Sequence, residues 1–182
     1  MKTTVLGFCT LLSALGWTAI CQAADDHEHE HEEVMEAVAV LAPMKASGVA
    51  GTIFFRQEKG YVSVTGEVTG LKPGKHGFHV HMFGDLRAPD GMSAGGHYNP
   101  HGAPHGSPES KEHHEGDLGN IDANAQGVAK INVKAGHTEV DDLVGRSVVV
   151  HGDADDLKSQ PAGNAGPRIA VGVIGIAEVK KK

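Results

Sequence analysis

Residues 61–68 read YVSVTGEV, a stretch that alternates apolar and polar side chains. Val62, Val64 and Val68 share one side of an extended chain, because successive side chains of a β-strand point to opposite faces. Similar short runs recur between glycine-rich turns: EAVAVL (36–41), GTIFFR (51–56), GVAKINV (127–133), RSVVVH (146–151) and RIAVGVIGIAEV (168–179). No stretch keeps a 3.6-residue apolar period over three turns. The pattern predicts an all-β sandwich or barrel with a long loop, 85–119, that lacks strand periodicity.

The N-terminal residues have the layout of a secretory signal peptide. Lys2 is followed by an apolar run over residues 5–20 and by the small residues Ala23 and Ala24, so we expect cleavage after Ala23, which removes residues 1–23. The alternatives are a membrane anchor, for which the run is short and interrupted, and a lipoprotein modified at Cys21. We therefore expect an exported protein, periplasmic or extracellular, with no membrane segment after cleavage.

Residues 24–33 read ADDHEHEHEE and have no apolar face. This composition predicts a disordered tail ahead of a single domain at residues 34–182. The tail's three histidines, His27, His29 and His31, either capture copper or zinc transiently or only add to a solvated charged segment.

Cysteine and charge restrict the classes of function. Both cysteines, Cys9 and Cys21, lie in the predicted signal peptide, so the mature chain has none with which to form a disulfide. The formal net charge of −7 argues against a basic nucleic-acid surface, and we expect no nucleic-acid partner. A small anionic substrate would need a local positive group to offset this charge.

Histidines cluster at metal-ligand spacing in and around the long loop. His79 and His81 occupy alternate positions in GFHVH (77–81) and therefore face the same way on a strand. His151 ends the apolar run VVVH. The loop itself, GGHYNPHGAPHGSPESKEHHEGDLGN (95–120), supplies three more histidines and a carboxylate at intervals of eight, nine and three: His97, His105, His114 and Asp117.

The two donor sets suit different metals. Three imidazoles and a carboxylate fit tetrahedral Zn²⁺, and an all-imidazole set fits Cu²⁺. If His97 is shared, copper has four histidines and zinc has three histidines plus Asp117. His113 competes with His114 by a one-residue slip, although the spacing to Asp117 favours His114. His76, His101 and His137 are interpreted as ordinary polar residues, with His101 an additional candidate metal contact.

Five sequence segments occur together in order: GFHVH, GGHYNP, HHEGDLGN, GRSVVVHGDADDL (145–157) and GNAGPRIAVGVIGIA (163–177). With these segments the chain closely resembles the copper/zinc superoxide dismutase family, in particular its eukaryotic-type branch, over residues 34–179. The family is itself a standard example of a β-sandwich. The resemblance therefore implies a Greek-key β-sandwich or barrel of immunoglobulin-like architecture with a long metal-binding loop.

The resemblance also implies the residue roles. It assigns four histidines to copper: His79, His81, His97 and His151. It assigns four residues to a structural zinc: His97, His105, His114 and Asp117. Arg168 matches the arginine that guides and holds superoxide, and Asp155 matches a carboxylate that links a copper-ligand histidine to a zinc-ligand histidine.

The activity that the resemblance implies is conversion of superoxide to O₂ and H₂O₂ by alternating reduction and oxidation of copper. His97, the bridging imidazolate, takes part by accepting a proton. Two alternatives remain on the same fold. One is a non-catalytic copper-binding or copper-delivery protein, which the His-rich tail favours. The other is a zinc-only structural module, which leaves His79, His81 and His151 without a role.

Three departures from the family pattern have consequences. Gly91 and Val171 occupy the positions of the family's intrasubunit disulfide, so that tie is missing and we expect the loop to depend more on zinc. The segment after Asp155, DLKSQPAGNAG (156–166), is short where eukaryotic-type members carry a charged loop, so Lys158 is the candidate source of positive field. Met82 replaces a common acidic residue and one residue is inserted before His97, near the family's dimer contacts. We still expect a homodimer.

Overall fold

The computed structural model describes residues 33–178, and in this part of the chain nine β-strands are connected into one antiparallel sheet. The strands are β1 (Glu36–Pro43), β2 (Ala50–Glu58), β3 (Tyr61–Thr69), β4 (Gly74–His81), β5 (Asp117–Ala123), β6 (Ala129–Gly136), β7 (Ser147–His151), β8 (Arg168–Val173) and β9 (Gly175–Ile176). Two single turns of helix accompany them, a 3₁₀ turn at Met92–Ala94 and α1 at Val140–Leu143.

The strand order makes a nearly closed barrel. It runs β5-β4-β7-β8-β1-β2-β3-β6, with β9 paired to β1. The two ends of this order, β5 and β6, are consecutive in the chain and are joined by a turn in which Asn124 and Val128 share a backbone hydrogen bond of 3.0 Å. The prediction of an all-β, Greek-key fold is therefore confirmed.

Alternation along the strands builds the main core. On β1 the small side chains of Ala37 and Ala39 point inward with Leu41, and on β3 the inward residues include Val62 and Val64. The larger side chains that complete the core come mainly from β2, β4 and α1: Ile53, Phe55, Phe78 and Leu143. This packing accounts for most of the barrel's cohesion, since burying one such side chain contributes about 1.5–3 kcal/mol.

Strands β4 and β7 are buried on both faces. On β4, Phe78 and Val80 point into the main core, whereas His79 and His81 point to the opposite face. Val149 of β7, paired with His79, also lies on that opposite face. There it joins a second apolar cluster with Met44, Ala94 and Val171, against which Ala42 and Leu86 pack. The long loop, which supplies Leu86 and Ala94, therefore covers the outer face of the sheet.

Backbone hydrogen bonds hold the far end of this loop against β4. Val80 donates its N–H to the Gly116 carbonyl at 2.8 Å, and its own carbonyl accepts from the Tyr98 N–H at 2.8 Å. Gly116 is required for this approach, because a β carbon there would lie 2.2 Å from the Val80 carbonyl oxygen. The loop therefore behaves as an added layer of the barrel.

The two positions that correspond to the family's disulfide adjoin each other. Gly91 has φ +73°, and a β carbon added to it would lie 3.1 Å from Val171 Cγ2. Val171 is fully buried in the second apolar cluster. In this chain, therefore, van der Waals packing joins the loop to β8 at the place where the resemblance implies a covalent bond.

Some boundaries differ from the sequence interpretation. Strand β4 begins at Gly74, ahead of the GFHVH motif, and β5 starts inside the segment that was predicted to be a structureless loop. The predicted signal peptide (1–23) and nearly all of the predicted tail (24–33) lie outside the described residues. Among residues 33–178, no helix has the length and apolar character needed to span a membrane.

Val171→Ala tests the apolar tie. We expect the free energy of unfolding of the metal-free protein to fall by about 2 kcal/mol, because the substitution removes buried methyl groups and leaves a cavity. Thr65→Ala is the matched control, since threonine has the shape of valine and Thr65 is exposed on β3; its effect should stay within about 0.5 kcal/mol. Urea unfolding of both variants measures the difference. Equal effects would show that Val171 does not anchor the loop.

Candidate metal centre

The outer face of the β4–β7 sheet carries three of the predicted copper ligands. His79 and His81 come from β4, and His151 is the last residue of β7. The pairing of β7 with β8 shifts register between Val150 and His151, which then lies opposite Arg168. Such irregularities redirect side chains at sheet ends, and here His151 and Arg168 are placed at the same end of the sheet.

The fourth member of the copper set, His97, comes from the loop. It forms an isolated β-bridge with His81, so the loop is in strand-like register where it meets β4. One ring nitrogen from each of the four side chains lies within 4.8 Å of the others: His79, His81, His97 and His151. All four are buried.

The outward nitrogen of each β4 and β7 histidine is already bound. His79 Nε2 donates to Asp155 Oδ2 at 2.7 Å, and His81 Nδ1 donates to the Gly95 carbonyl at 2.9 Å. His151 Nδ1 donates to the Gly166 carbonyl at 3.2 Å. These bonds place the proton on the outward nitrogen and leave the other nitrogen with a lone pair that points inward.

The inward nitrogens have no donor to bind. His79 Nδ1 and His97 Nε2 are buried without a hydrogen-bond partner, and His81 Nε2 faces His151 Nε2 at 3.4 Å. Burial lowers the pKa of His79 to about 4 and of His151 to about 3, and it lowers the pKa of His81 well below its usual value. Neutral imidazoles with converging lone pairs fit a cation, and an all-nitrogen set fits copper.

The second set surrounds Asp117. Its Oδ1 accepts from His97 Nδ1 at 2.7 Å and from His105 Nδ1 at 3.0 Å, and His114 Nδ1 lies 3.3 Å away. Its Oδ2 accepts the backbone N–H groups of Gly106 at 3.1 Å and of His114 at 3.0 Å. Three nitrogens and one oxygen thus meet within 4.8 Å, which is the donor set that fits tetrahedral zinc.

His97 belongs to both sets through different atoms. Its Nδ1 faces Asp117, whereas its Nε2 is the buried nitrogen without a partner on the side of His79. The His79 and His97 rings stack with centroids 4.0 Å apart. One imidazole therefore separates the two sets and offers one nitrogen to each.

Asp155 connects the two sets through the two oxygens of its carboxylate. Its Oδ2 accepts from His79, and its Oδ1 accepts from His105 Nε2 at 3.0 Å. Asn120 holds the backbone of Asp155 on both sides, accepting its N–H at 2.8 Å and donating to its carbonyl at 2.9 Å. Gly163 is essential to this arrangement, because a β carbon there would lie 1.8 Å from Asp155 Oδ1.

The carboxylates and His105 shift each other's protonation. Burial opposes a charge on Asp117 and on Asp155, but hydrogen bonds from the histidines outweigh it and hold the pKa of each carboxyl well below its usual range. Burial likewise opposes a charge on His105, yet its bonds to the two carboxylates raise its pKa to about 9. In the metal-free protein His105 is therefore a cation near neutral pH.

Arg168 lies at the mouth of the copper set. It begins β8, its guanidinium donates to the carbonyls of Gly91 and Gly95, and it shares with His81 and His151 a cleft of about 370 Å³. Burial lowers the pKa of Arg168, and the nearby Asp90 opposes that shift. Because a guanidinium stays protonated in proteins, the cleft holds a fixed positive charge next to the histidines.

A second cation, Lys45, also lines the cleft. Lys158, which the sequence suggested as a source of positive field, is not among the described residues that line this cleft. Lys45 lies in the β1–β2 connection with φ +47°, and no motif marks it. Its placement follows from loop packing, since Met44 is buried beside β8 and its N–H binds the Ile169 carbonyl at 2.9 Å.

The other histidines of the described chain lie outside both metal sets. His113 Nδ1 donates to the His114 carbonyl at 2.6 Å, so His114, and not His113, occupies the second set. His101 pairs with Glu115 at 3.0 Å on the surface. His76 lies outside both sets and is buried, with its ring between the carbonyls of His151 at 2.7 Å and Lys72 at 2.9 Å.

Comparisons with known proteins agree with this geometry. The sequence matches the family described as "Copper/zinc superoxide dismutase (SODC)" over residues 49–174. The chain is also similar to a solved structure described as "Crystal Structure Analysis of the clock protein EA4". The two are 38% identical with a TM-score of 0.75, and the similarity covers 82% of this chain and 99% of that one. On its fold and its sequence match, the chain belongs to the copper/zinc superoxide dismutase family.

Proposed function

We propose that the protein is a superoxide dismutase with copper in the first set and a structural zinc in the second. The observation that carries this proposal is the position of Arg168. Its guanidinium lines the same cleft as three histidines of the copper set: His81, His97 and His151. A protein that only stores copper has no need for a fixed cation at the mouth of the site.

Copper bound there would supply the one-electron chemistry by which superoxide is alternately oxidised to O₂ and reduced to H₂O₂. The chain's own residues supply access, charge and protons. Arg168 and Lys45 attract a small anion into the cleft of a protein whose net charge is −7. His97 lines this cleft, and its Nε2, which has no hydrogen-bond partner in the metal-free protein, would accept a proton when it is not bound to copper and later give it up.

The role of zinc in this proposal is to hold the loop. His97, His105 and His114 come from the loop between β4 and β5, outside the nine strands, and a shared cation would tie them to Asp117 at the start of β5. Asp155 would fix the orientation of the His79 and His105 rings relative to each other. Export to the periplasm or beyond the cell remains a prediction from the sequence.

Arg168→Ala and His151→Ala test the activity. In copper- and zinc-loaded protein we expect Arg168→Ala to lower kcat/KM for superoxide by at least about tenfold with unchanged metal content. Tenfold is the lower end of the increase in association rate that a charged cleft provides, and superoxide dismutases are themselves a standard example of this effect. We expect His151→Ala to lose both copper and activity.

Metal analysis beside the dismutation assay separates the alternatives. Full copper occupancy without dismutation in the parent protein would favour copper binding or delivery instead. Zinc as the one metal retained would favour a structural module. Lys158→Ala is the matched control, since Lys158 is exposed and lies outside the cleft lining, and its rate should match that of the parent.

We also propose a homodimer, supported by exposed apolar side chains near β8 and β9. Phe83, Val173 and Ile176 are 56%, 40% and 67% exposed. A β carbon on Gly84 would lie 3.1 Å from Val173 Cγ1, so the Phe83–Gly84 segment adjoins β8. β9, which carries Ile176, pairs with β1, where Val40 is 70% exposed. A patch of exposed apolar side chains is typical of an interface.

Phe83→Glu and Ile176→Glu test the dimer. Light scattering coupled to size exclusion should give twice the chain mass for the parent and the single-chain mass for either variant, because charges cannot be buried unpaired at a two-fold interface. Thr65→Glu, at an exposed position on β3, should leave the mass unchanged. A monomeric parent would contradict the proposal, and so would a dimeric mass for both Phe83→Glu and Ile176→Glu.

A further inference from the structure

Gln160 makes a two-point hydrogen bond with the backbone of His105, 55 residues away in the chain. Its Oε1 accepts the His105 N–H at 2.8 Å, and its Nε2 donates to the His105 carbonyl at 2.8 Å. A side-chain amide thus satisfies the donor and the acceptor of one residue, as a neighbouring strand would. No motif pointed to this residue from the sequence.

His105 needs such support because of where it lies. Its two ring nitrogens are each 3.0 Å from a carboxylate, Asp117 on one side and Asp155 on the other, so a small shift of its backbone breaks both contacts. The residue lies in the loop between β4 and β5, so its main chain takes part in no strand pairing. In the described structure, the bonds to the His105 main chain come from Gln160.

Gln160 lies in a turn, residues 156–163, that several hydrogen bonds stabilise. Asp156 Oδ1 accepts the N–H groups of Lys158 at 2.9 Å and of Ser159 at 2.8 Å. The Gly163 N–H then binds the Ser159 carbonyl at 2.7 Å. A second contact of Gln160 Nε2, to the Lys158 carbonyl at 3.2 Å, orients the amide within this turn. The side chain is therefore presented to His105 from a fixed position.

The same turn also forms part of the cleft. Gln160, Pro161 and Ala162 line it together with Arg168 and His97. The Gln160–His105 pair therefore joins the wall of the cleft to the second metal set. We propose that Gln160 is a positioning residue that holds His105 for zinc, which rests on the proposed function only in taking the second set as the zinc site.

Zinc affinity, measured by competition with a chromophoric chelator, tests this role without reference to activity. Gln160→Met keeps the length of the side chain but removes both hydrogen bonds, and we expect it to weaken zinc binding about 10–100-fold, as loss of supporting contacts does at metal sites. Gln160→Asn, one methylene shorter, should not restore affinity. Gln160→Ala should lose as much as Gln160→Met if the bonds, and not packing, are responsible.

Two references make the result specific. Lys158→Ala, an exposed neighbour in the same turn, should bind zinc as the parent does. Copper affinity, measured on Gln160→Met, should change by less than the zinc affinity, because His105 is not in the copper set. Parent-like zinc affinity in Gln160→Met, or an equal loss in Lys158→Ala, would overturn the assignment. Absence of dismutation in the parent protein would count against the proposed function and leave this result standing.

Discussion

Two buried carboxylates, Asp117 and Asp155, organise the histidine cluster, and the rest of the site depends on them. Asp117 gathers His97, His105 and His114 around one oxygen, and Asp155 ties His79 to His105. A buried carboxylate is costly unless its charge is compensated and its lone pairs are filled. In the metal-free protein His105 supplies much of that compensation as a cation between the two. A divalent metal would take over that role by displacing its proton, so metal binding must depend on pH.

The barrel accommodates these buried polar groups because the long loop forms a second layer over the outer face of the sheet. The inner face of the sheet is an ordinary apolar core, and the histidines stand on the outer face, beneath a loop that has its own apolar cluster. The backbone of Val80 at Gly116 and the carboxylate of Asp155 at Gly163 leave no room for a side chain at either glycine. The loops over the site therefore pack closely against the barrel. Val171 and Gly91 show that this packing does not need a disulfide at that place.

Much of this arrangement was predictable from sequence, and the exceptions have physical causes. Alternation identified β1, β2 and β3, which have one solvated face. Of β4 only the GFHVH part was predicted as a strand, and its start at Gly74 was not, because a strand that is buried on both faces shows no regular alternation. Motif spacing paired His79 with His81 and grouped His97, His105, His114 and Asp117, because strand geometry and loop ligands leave a local signal. The place of His151 beside the first pair was implied by the resemblance to the family. Lys45, His76 and Gln160 act through contacts between segments far apart in the chain, and no local pattern encodes such contacts.

His97 joins the two donor sets, with Nε2 available to one metal and Nδ1 to the other. Copper and zinc affinities measured separately on three alanine variants test it directly. We expect His97→Ala to weaken binding of both metals by at least about tenfold, consistent with loss of a direct ligand. His151→Ala should weaken copper alone, and His114→Ala should weaken zinc alone. If His97→Ala left the affinity for either metal unchanged, the account of two sites joined by one imidazole would be wrong.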